Sequence, residues 1–161
     1  MQLKSLLLTA ALSLTALAMP TETTTLTSGV ARVINNCPST VYLWSVASTV
    51  GDRQTLQPGG QYSEQFRYDP RTGVAIKVGT TPESIGNGAP VLHFSYTLNN
   101  GENSIYYDVS SAFGVDPLFS GRVVKVVGDG PNVPSIVWTG PAPSGTRVYF
   151  GNTNLILTLC A

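Results

Sequence analysis

Three residues of this 161-residue chain carry side chains suited to acid–base chemistry and fall within one stretch: His93, Asp108 and Asp116. Two carboxylates flanking a glycosidic bond can serve as acid and base, or as acid and nucleophile. Asp108 lies in Tyr106-Tyr107-Asp108-Val109-Ser110, and Asp116 follows in a loop, so spacing leaves their separation open. One carboxylate alone makes no such pair. An isolated aspartate on a strand face ordinarily bonds to nearby hydroxyls, and Ser110 is the nearest in sequence. His93 has no nucleophile motif beside it and reads as a half-buried sheet residue. A GxSxG elbow, a Ser/His/Asp order and a P-loop are all absent. With one histidine and no CxxC or HxxxH spacing, neither a metal site nor a cofactor is expected.

A second chemistry is sugar recognition. Aromatic rings stack on the apolar faces of sugars, while carboxylates and amides take the hydroxyls. Tyr106, Asp108, His93 and Asp116 are therefore the candidate glycan-binding residues. Trp44 and Trp138 sit in strand-like segments and read as filling the core between sheets.

These residues need strands to position them. From Gly29 onward, sixteen glycines and eleven prolines in the whole chain cut it into short pieces rich in β-branched and aromatic residues. About ten strands are expected: 30–36, 40–47, 61–68, 74–79, 91–98, 104–109, 121–127, 135–138, 147–149 and 155–160. Two-residue alternation sets the faces. Ile105, Tyr107 and Val109 point one way, and Tyr106, Asp108 and Ser110 the other. Val124 and Val126 oppose Val123, Lys125 and Val127. Leu155, Leu157 and Leu159 share a face. Short strands at turn-punctuated spacing imply one all-β, antiparallel sandwich over 29–161.

The first eighteen residues read differently. Lys4, an apolar run from Leu6 to Leu14 and Ala16-Leu17-Ala18 form a secretory signal peptide, with cleavage expected after Ala18. Residues 19–28 read as a flexible lead. No later apolar stretch reaches membrane length, so no membrane span is expected. Without Lys4 the chain keeps eight Lys/Arg against nine Asp/Glu, and lacks the clustered basic face that nucleic acid requires. The same scarcity of charge argues against an acidic membrane surface. A monomer is expected. In an exported protein the two cysteines, Cys37 and Cys160, read as a disulfide; free thiols or an intermolecular bond are the rival readings. An intramolecular bridge would contribute about 4–5 kcal/mol on the chain-entropy model.

Several segments resemble thaumatin-like proteins in order. They are VINNCPSTVYLWSV at the start, QTLQPGGQYSEQF, LHFSYTLNNGENSIYYDVSSAFGVDPLF and the terminal LILTLC. The size and thin cysteine content are most similar to the fungal yeast-phase-specific secreted proteins first described from Blastomyces. The resemblance implies the thaumatin-like sandwich and, independently of the redox argument, a Cys37–Cys160 pair. In the wider family an acidic cleft is linked to β-glucan binding or weak glucanase activity. Asp108 matches one cleft aspartate, His93 stands where the family pattern has a glutamate, and the cleft arginine falls in a Cys-rich stretch that this chain lacks. The expectation is a secreted, non-enzymatic protein, free or wall-associated, that binds cell-wall β-glucan, another polysaccharide or a host protein. A weak glucan hydrolase or antifungal protein using Asp108, and an antigenic protein without a small ligand, are the alternatives.

Overall fold

The computed structural model describes residues 28–161, which form a sandwich of two sheets. The expected signal peptide, and all of the expected lead except Ser28, lie outside the described residues. The strands are β1 (Val30–Asn35), β2 (Val41–Val46), β3 (Gln54–Leu56), β4 (Gln61–Gln65), β5 (Val74–Gly79), β6 (Val91–Asn99), β7 (Ser104–Ala112), β8 (Val124–Gly128), β9 (Ile136–Trp138), β10 (Arg147–Phe150) and β11 (Leu155–Leu159). One sheet has the order β4-β1-β11-β8-β9 and the other β10-β7-β6-β5-β2-β3.

Alternation drives the two layers together. Val33, Val124, Val126, Leu155, Leu157 and Leu159 are buried from the first sheet. Leu43, Ile76, Val78, Phe94, Ile105 and Val109 are buried from the second. Each such side chain contributes roughly 1.5–3 kcal/mol by leaving water. The two buried tyrosines keep their hydroxyls satisfied: Tyr96 donates to Glu64 Oε1 at 2.9 Å and Tyr107 to the Pro134 carbonyl.

The all-β class, the faces and the disulfide agree with expectation, and two features differ. The first is β3, three residues of which only Leu56 is buried, too short to show a period. The second is that β1 and β11 pair in parallel, with Ala31 opposite Leu155 and Asn35 opposite Leu159. A side-chain period of two is the same in either direction, so alternation cannot reveal strand polarity. Every other strand pairing is antiparallel.

Both ends of the parallel seam are fastened. Beyond one end Cys37 and Cys160 are bridged, with their Cα atoms 5.1 Å apart. At the other, Asp129 Oδ1 accepts the Asn154 amide at 2.7 Å, and Asn154 Oδ1 accepts the Val30 amide at 2.9 Å. Asn35, fully buried, fixes the turn before Cys37. Its Nδ2 donates to the carbonyls of Ser39 and Leu56 at 2.9 and 3.0 Å, and its Oδ1 accepts the Cys37 amide at 3.1 Å.

The open edge between the sheets is closed by a polar cluster. Glu64, on the inner face of β4, accepts from Tyr62, Tyr96 and Arg67 at 2.8, 2.9 and 3.0 Å. Arg67 also donates to Ser45 Oγ on β2 at 2.7 Å. Burial first, and the Glu64 carboxylate second, push the Tyr62 phenol up to about 12.

Asn35→Ala leaves the buried Leu56 carbonyl, the buried Cys37 amide and the part-buried Ser39 carbonyl without partners, and is expected to lower the free energy of unfolding by about 3 kcal/mol in urea titration. An unchanged midpoint would show that the turn holds without the amide. The bonds from Asn154 hold the Asp129 carboxyl below its ordinary value. Its stabilisation is therefore present above the unfolded pKa of about 4 and is lost as pH falls through the folded value. The loss of Tm between about pH 5 and about pH 2 should accordingly be smaller in Asp129→Asn than in the parent.

Candidate functional site

The site lies on the outer face of the six-stranded sheet, away from the core. Cross-strand register arranges that face in rows. Lys77, His93 and Ser110 form one row, Ala75, Ser95 and Asp108 the next, and Thr97, Tyr106 and Val148 a third. Asp108, His93 and Tyr106 are thus brought to one surface. Asp108 and His93 are diagonal neighbours, and no ion pair joins them: among the described residues the ion pair found is Glu64–Arg67.

Asp108 is half-buried, and burial raises its pKa, a shift opposed by a hydrogen bond from Ser95. The partner is Ser95 rather than the expected Ser110. Residues two apart on one strand are further separated than residues directly opposite, and Ser95 faces Asp108 across the β6–β7 ladder. His93 is also half-buried; its pKa is lowered by burial first and by Lys77 second. Both effects favour the neutral imidazole over the imidazolium.

Asp116 is elsewhere. Its Oδ2 accepts the Thr80 hydroxyl at 2.6 Å and its Oδ1 the Leu118 amide at 2.8 Å, while its carbonyl accepts the Phe119 and Ser120 amides. It caps the 116–120 turn and ties that turn to the segment after β5. Asp108 is the one carboxylate in the strands of the six-stranded sheet. Trp138 joins the core and donates its Nε1 to Ala142 O at 2.7 Å. Trp44 departs from expectation: it is buried to 5% exposure, yet it pairs with Lys77 on the outer side of β2. Arg53 lies over the neighbouring Tyr42 ring, 5.8 Å from its centre, and donates to Pro82 O, so the chain after β5 screens this end of the face.

Two adjoining hollows run over the face. The larger, about 550 Å³, lies between the 68–73 turn and the 97–101 hairpin and is lined by Tyr68, Asp69, Arg71, Thr97, Asn99, Asn100 and Tyr106 among others. The second, about 330 Å³, reaches Val46, Ala75, Lys77 and Ser95, and shares Thr72, Gly73 and Thr97 with the first. A Cβ at Gly73 would fall 2.3 Å from Thr97 Oγ1, so a side chain there would force the floor apart. A small third hollow, about 70 Å³, lies beside His93 and is bordered by Phe113, 76% exposed at a φ of +60°. Bulky residues rarely adopt that conformation. Of the candidates named from sequence, Tyr106 lines the larger hollow and His93 the smallest, with Asp108 on the face between. Tyr68, Arg71 and Lys77 were not among them. The turn that carries Arg71 was legible as a turn, whereas Tyr68 was expected to end the strand 61–68, which stops at Gln65; that both face the hairpin was not legible.

Asp108→Asn separates a retained charge from a structural residue. A carboxyl whose folded pKa is raised contributes stability below its unfolded pKa and loses it as pH rises through the folded value. The Asn variant should therefore melt higher than the parent at about pH 7 and show no advantage at about pH 3. A variant less stable at neutral pH would mark Asp108 as a net support of the sheet.

Comparison with known proteins agrees with the geometry. The family described as Blastomyces yeast-phase-specific protein matches residues 18–161. The antigenic thaumatin-like protein of Arthroderma benhamiae is 32% identical over 145 residues, covering 88% of this chain and 70% of the relative. The secreted thaumatin-like protein calA of Emericella nidulans is 34% identical over 85 residues, covering 52% of this chain and 46% of that protein, so the match spans less than half of calA. Among solved structures, the crystal structure of the protein elicitor MoHrip2 from Magnaporthe oryzae superposes with a TM-score of 0.67 at 26% identity, covering 83% of this chain and 99% of that one. With an all-β sandwich, one disulfide between its first and last strand regions and a family match from residue 18 to its end, the chain belongs to the fungal thaumatin-like proteins of the Blastomyces yeast-phase-specific family.

Proposed function

We propose that this extracellular protein is a non-enzymatic binding module that holds a polysaccharide chain across the outer face of its six-stranded sheet. The observation that carries the reading is that the strands of this sheet hold a single carboxylate. Hydrolysis of a glycosidic bond by the usual routes requires two carboxyl groups, about 5–9.5 Å apart. Asp108 has no such partner among the strands of the sheet, Asp69 is taken up by Ser48 and the Arg71 amide in its own turn, and Asp116 is occupied by the 116–120 turn. What the face does offer is recognition: the Tyr68 and Tyr106 rings, hydroxyls and amides, and two continuous shallow hollows rather than a closed cavity. A polymer suits that shape, because each sugar contributes little and successive sugars add.

The test is retention of purified oxidised protein on insoluble β-glucan, chitin, mannan and pectate. Retention on at least one is expected, with a loss of about tenfold or more in Tyr106→Ala, the scale of a truncated aromatic contact. Retention on none would dismiss the glycan reading and leave a protein partner. Reducing-sugar release from β-1,3-glucan should stay at background for the parent and Asp108→Asn alike; release by the parent that the variant loses would make this protein a hydrolase.

A further inference from the structure

We propose that the two hollows form a site for an acidic oligosaccharide, with Arg71 and Lys77 receiving uronate carboxylates and Tyr68 and Tyr106 packing against the sugar rings. The proposal rests on the glycan-binding reading and names the class of glycan.

The argument is one of which polar groups remain unspent. Neutral sugars are held chiefly by carboxylates and amides that take pairs of hydroxyls. In this groove the Asp69 carboxylate and the Asn99 amide are already engaged, and of the lining amides Asn100 alone keeps a buried oxygen, Oδ1, without a partner. Asp69 accepts the Ser48 hydroxyl at 2.7 Å and the Arg71 amide at 2.9 Å through Oδ1, and the Ser48 amide at 3.0 Å through Oδ2. Its bonds hold the carboxyl well below the usual carboxylate range, so it remains a fixed anion within its own turn. Asn99 donates to Glu102 Oε2 at 3.0 Å and accepts the Gly101 amide at 3.1 Å.

The cations are not engaged in the same way. Arg71 donates through Nε to Ser48 Oγ at 3.1 Å, which orients the guanidinium and leaves both terminal nitrogens without a protein acceptor. Asp69 lies two residues away, yet no ion pair joins them. The Lys77 side chain forms neither a hydrogen bond nor an ion pair among the described residues. A guanidinium with two free N–H edges matches a carboxylate in a two-pronged fashion, and an ammonium adds a second point charge. Tyr68, 53% exposed, supplies an aromatic surface in the same hollow as Arg71.

The reach sets the length. From Tyr106 on β7 to Val46 on β2 the groove crosses three strand spacings, about 14 Å, or roughly three sugar residues. Binding should therefore strengthen from monomer to trimer and level off beyond it.

The experiment is calorimetric titration of the oxidised protein with galacturonic acid trimer and, separately, with laminaritriose, at low and at roughly 0.3 M salt. The acidic trimer is expected to bind at least tenfold more tightly than the neutral one, and to weaken about tenfold in high salt and in Arg71→Gln. Arg71→Gln alters an exposed residue, and an unchanged melting curve would verify that it folds. Tighter binding of laminaritriose would overturn the acidic assignment and leave the glycan reading standing. Equal binding of the acidic trimer by the parent and by Arg71→Gln and Lys77→Gln would also overturn it. Binding of neither trimer, together with no retention on the four polymers, would remove both readings.

Discussion

The parallel pairing of β1 with β11 is the constraint on which the rest of the sandwich depends. These strands occupy the middle of the five-stranded sheet, so β4-β1 on one side and β11-β8-β9 on the other become one sheet only when β1 and β11 meet. The contact joins residues more than a hundred positions apart, and closing a loop of that length costs several kcal/mol of chain entropy before any ladder bond repays it. The bridge at Cys37–Cys160 removes much of that cost from the unfolded ensemble. The Asp129–Asn154–Val30 bonds set the register at the far end. Register matters here because a slip of one residue would turn Leu155, Leu157 and Leu159 to the solvent.

The second sheet is free of that burden, and the site follows from its freedom. Its strands are joined mostly to neighbours in sequence, and its inner face alone meets the core. Its outer face can therefore carry Asp108, His93 and Lys77 without disturbing the packing beneath. Glu64 is the contrasting case. It too is a carboxylate shielded from water, but three donors surround it and it binds the sheets together. Asp108 is held by far fewer partners. A half-buried charge with sparse support is weak structural cement, and such groups concentrate at functional surfaces.

Much of this was legible in the sequence because alternation is a local signal. The faces of β7, β8 and β11 follow from neighbouring residues, and so does the sharing of a surface by Tyr106 and Asp108. What depended on partners across the sheet was not. The identity of Asp108's hydrogen-bond donor, Ser95, is a matter of hairpin register. Trp44 looks like a core residue by type, but strand parity places it outside, screened by what packs over that end. Asp116 seemed available as a second acid because its loop gave no sign that Thr80 and the Leu118 amide would claim it. The Arg71 cleft is the sharpest instance. It requires two turns, separated by two strands and a loop, to close over Thr97, and no property of either turn announces the other.

The seam has a mechanical consequence. Because β1 and β11 run the same way, the described ends of the chain, Ser28 and Ala161, leave from opposite ends of the sandwich, about 20 Å apart along the strand direction. Tension applied between them would shear β1 along β11 and then pass straight through the sulfur–sulfur link. The intervening loop, which holds nearly the whole domain and all of the outer-face groove, would carry no load. An oxidised molecule tugged from its two ends would shed one strand and go no further, whereas a reduced one would unravel along its length.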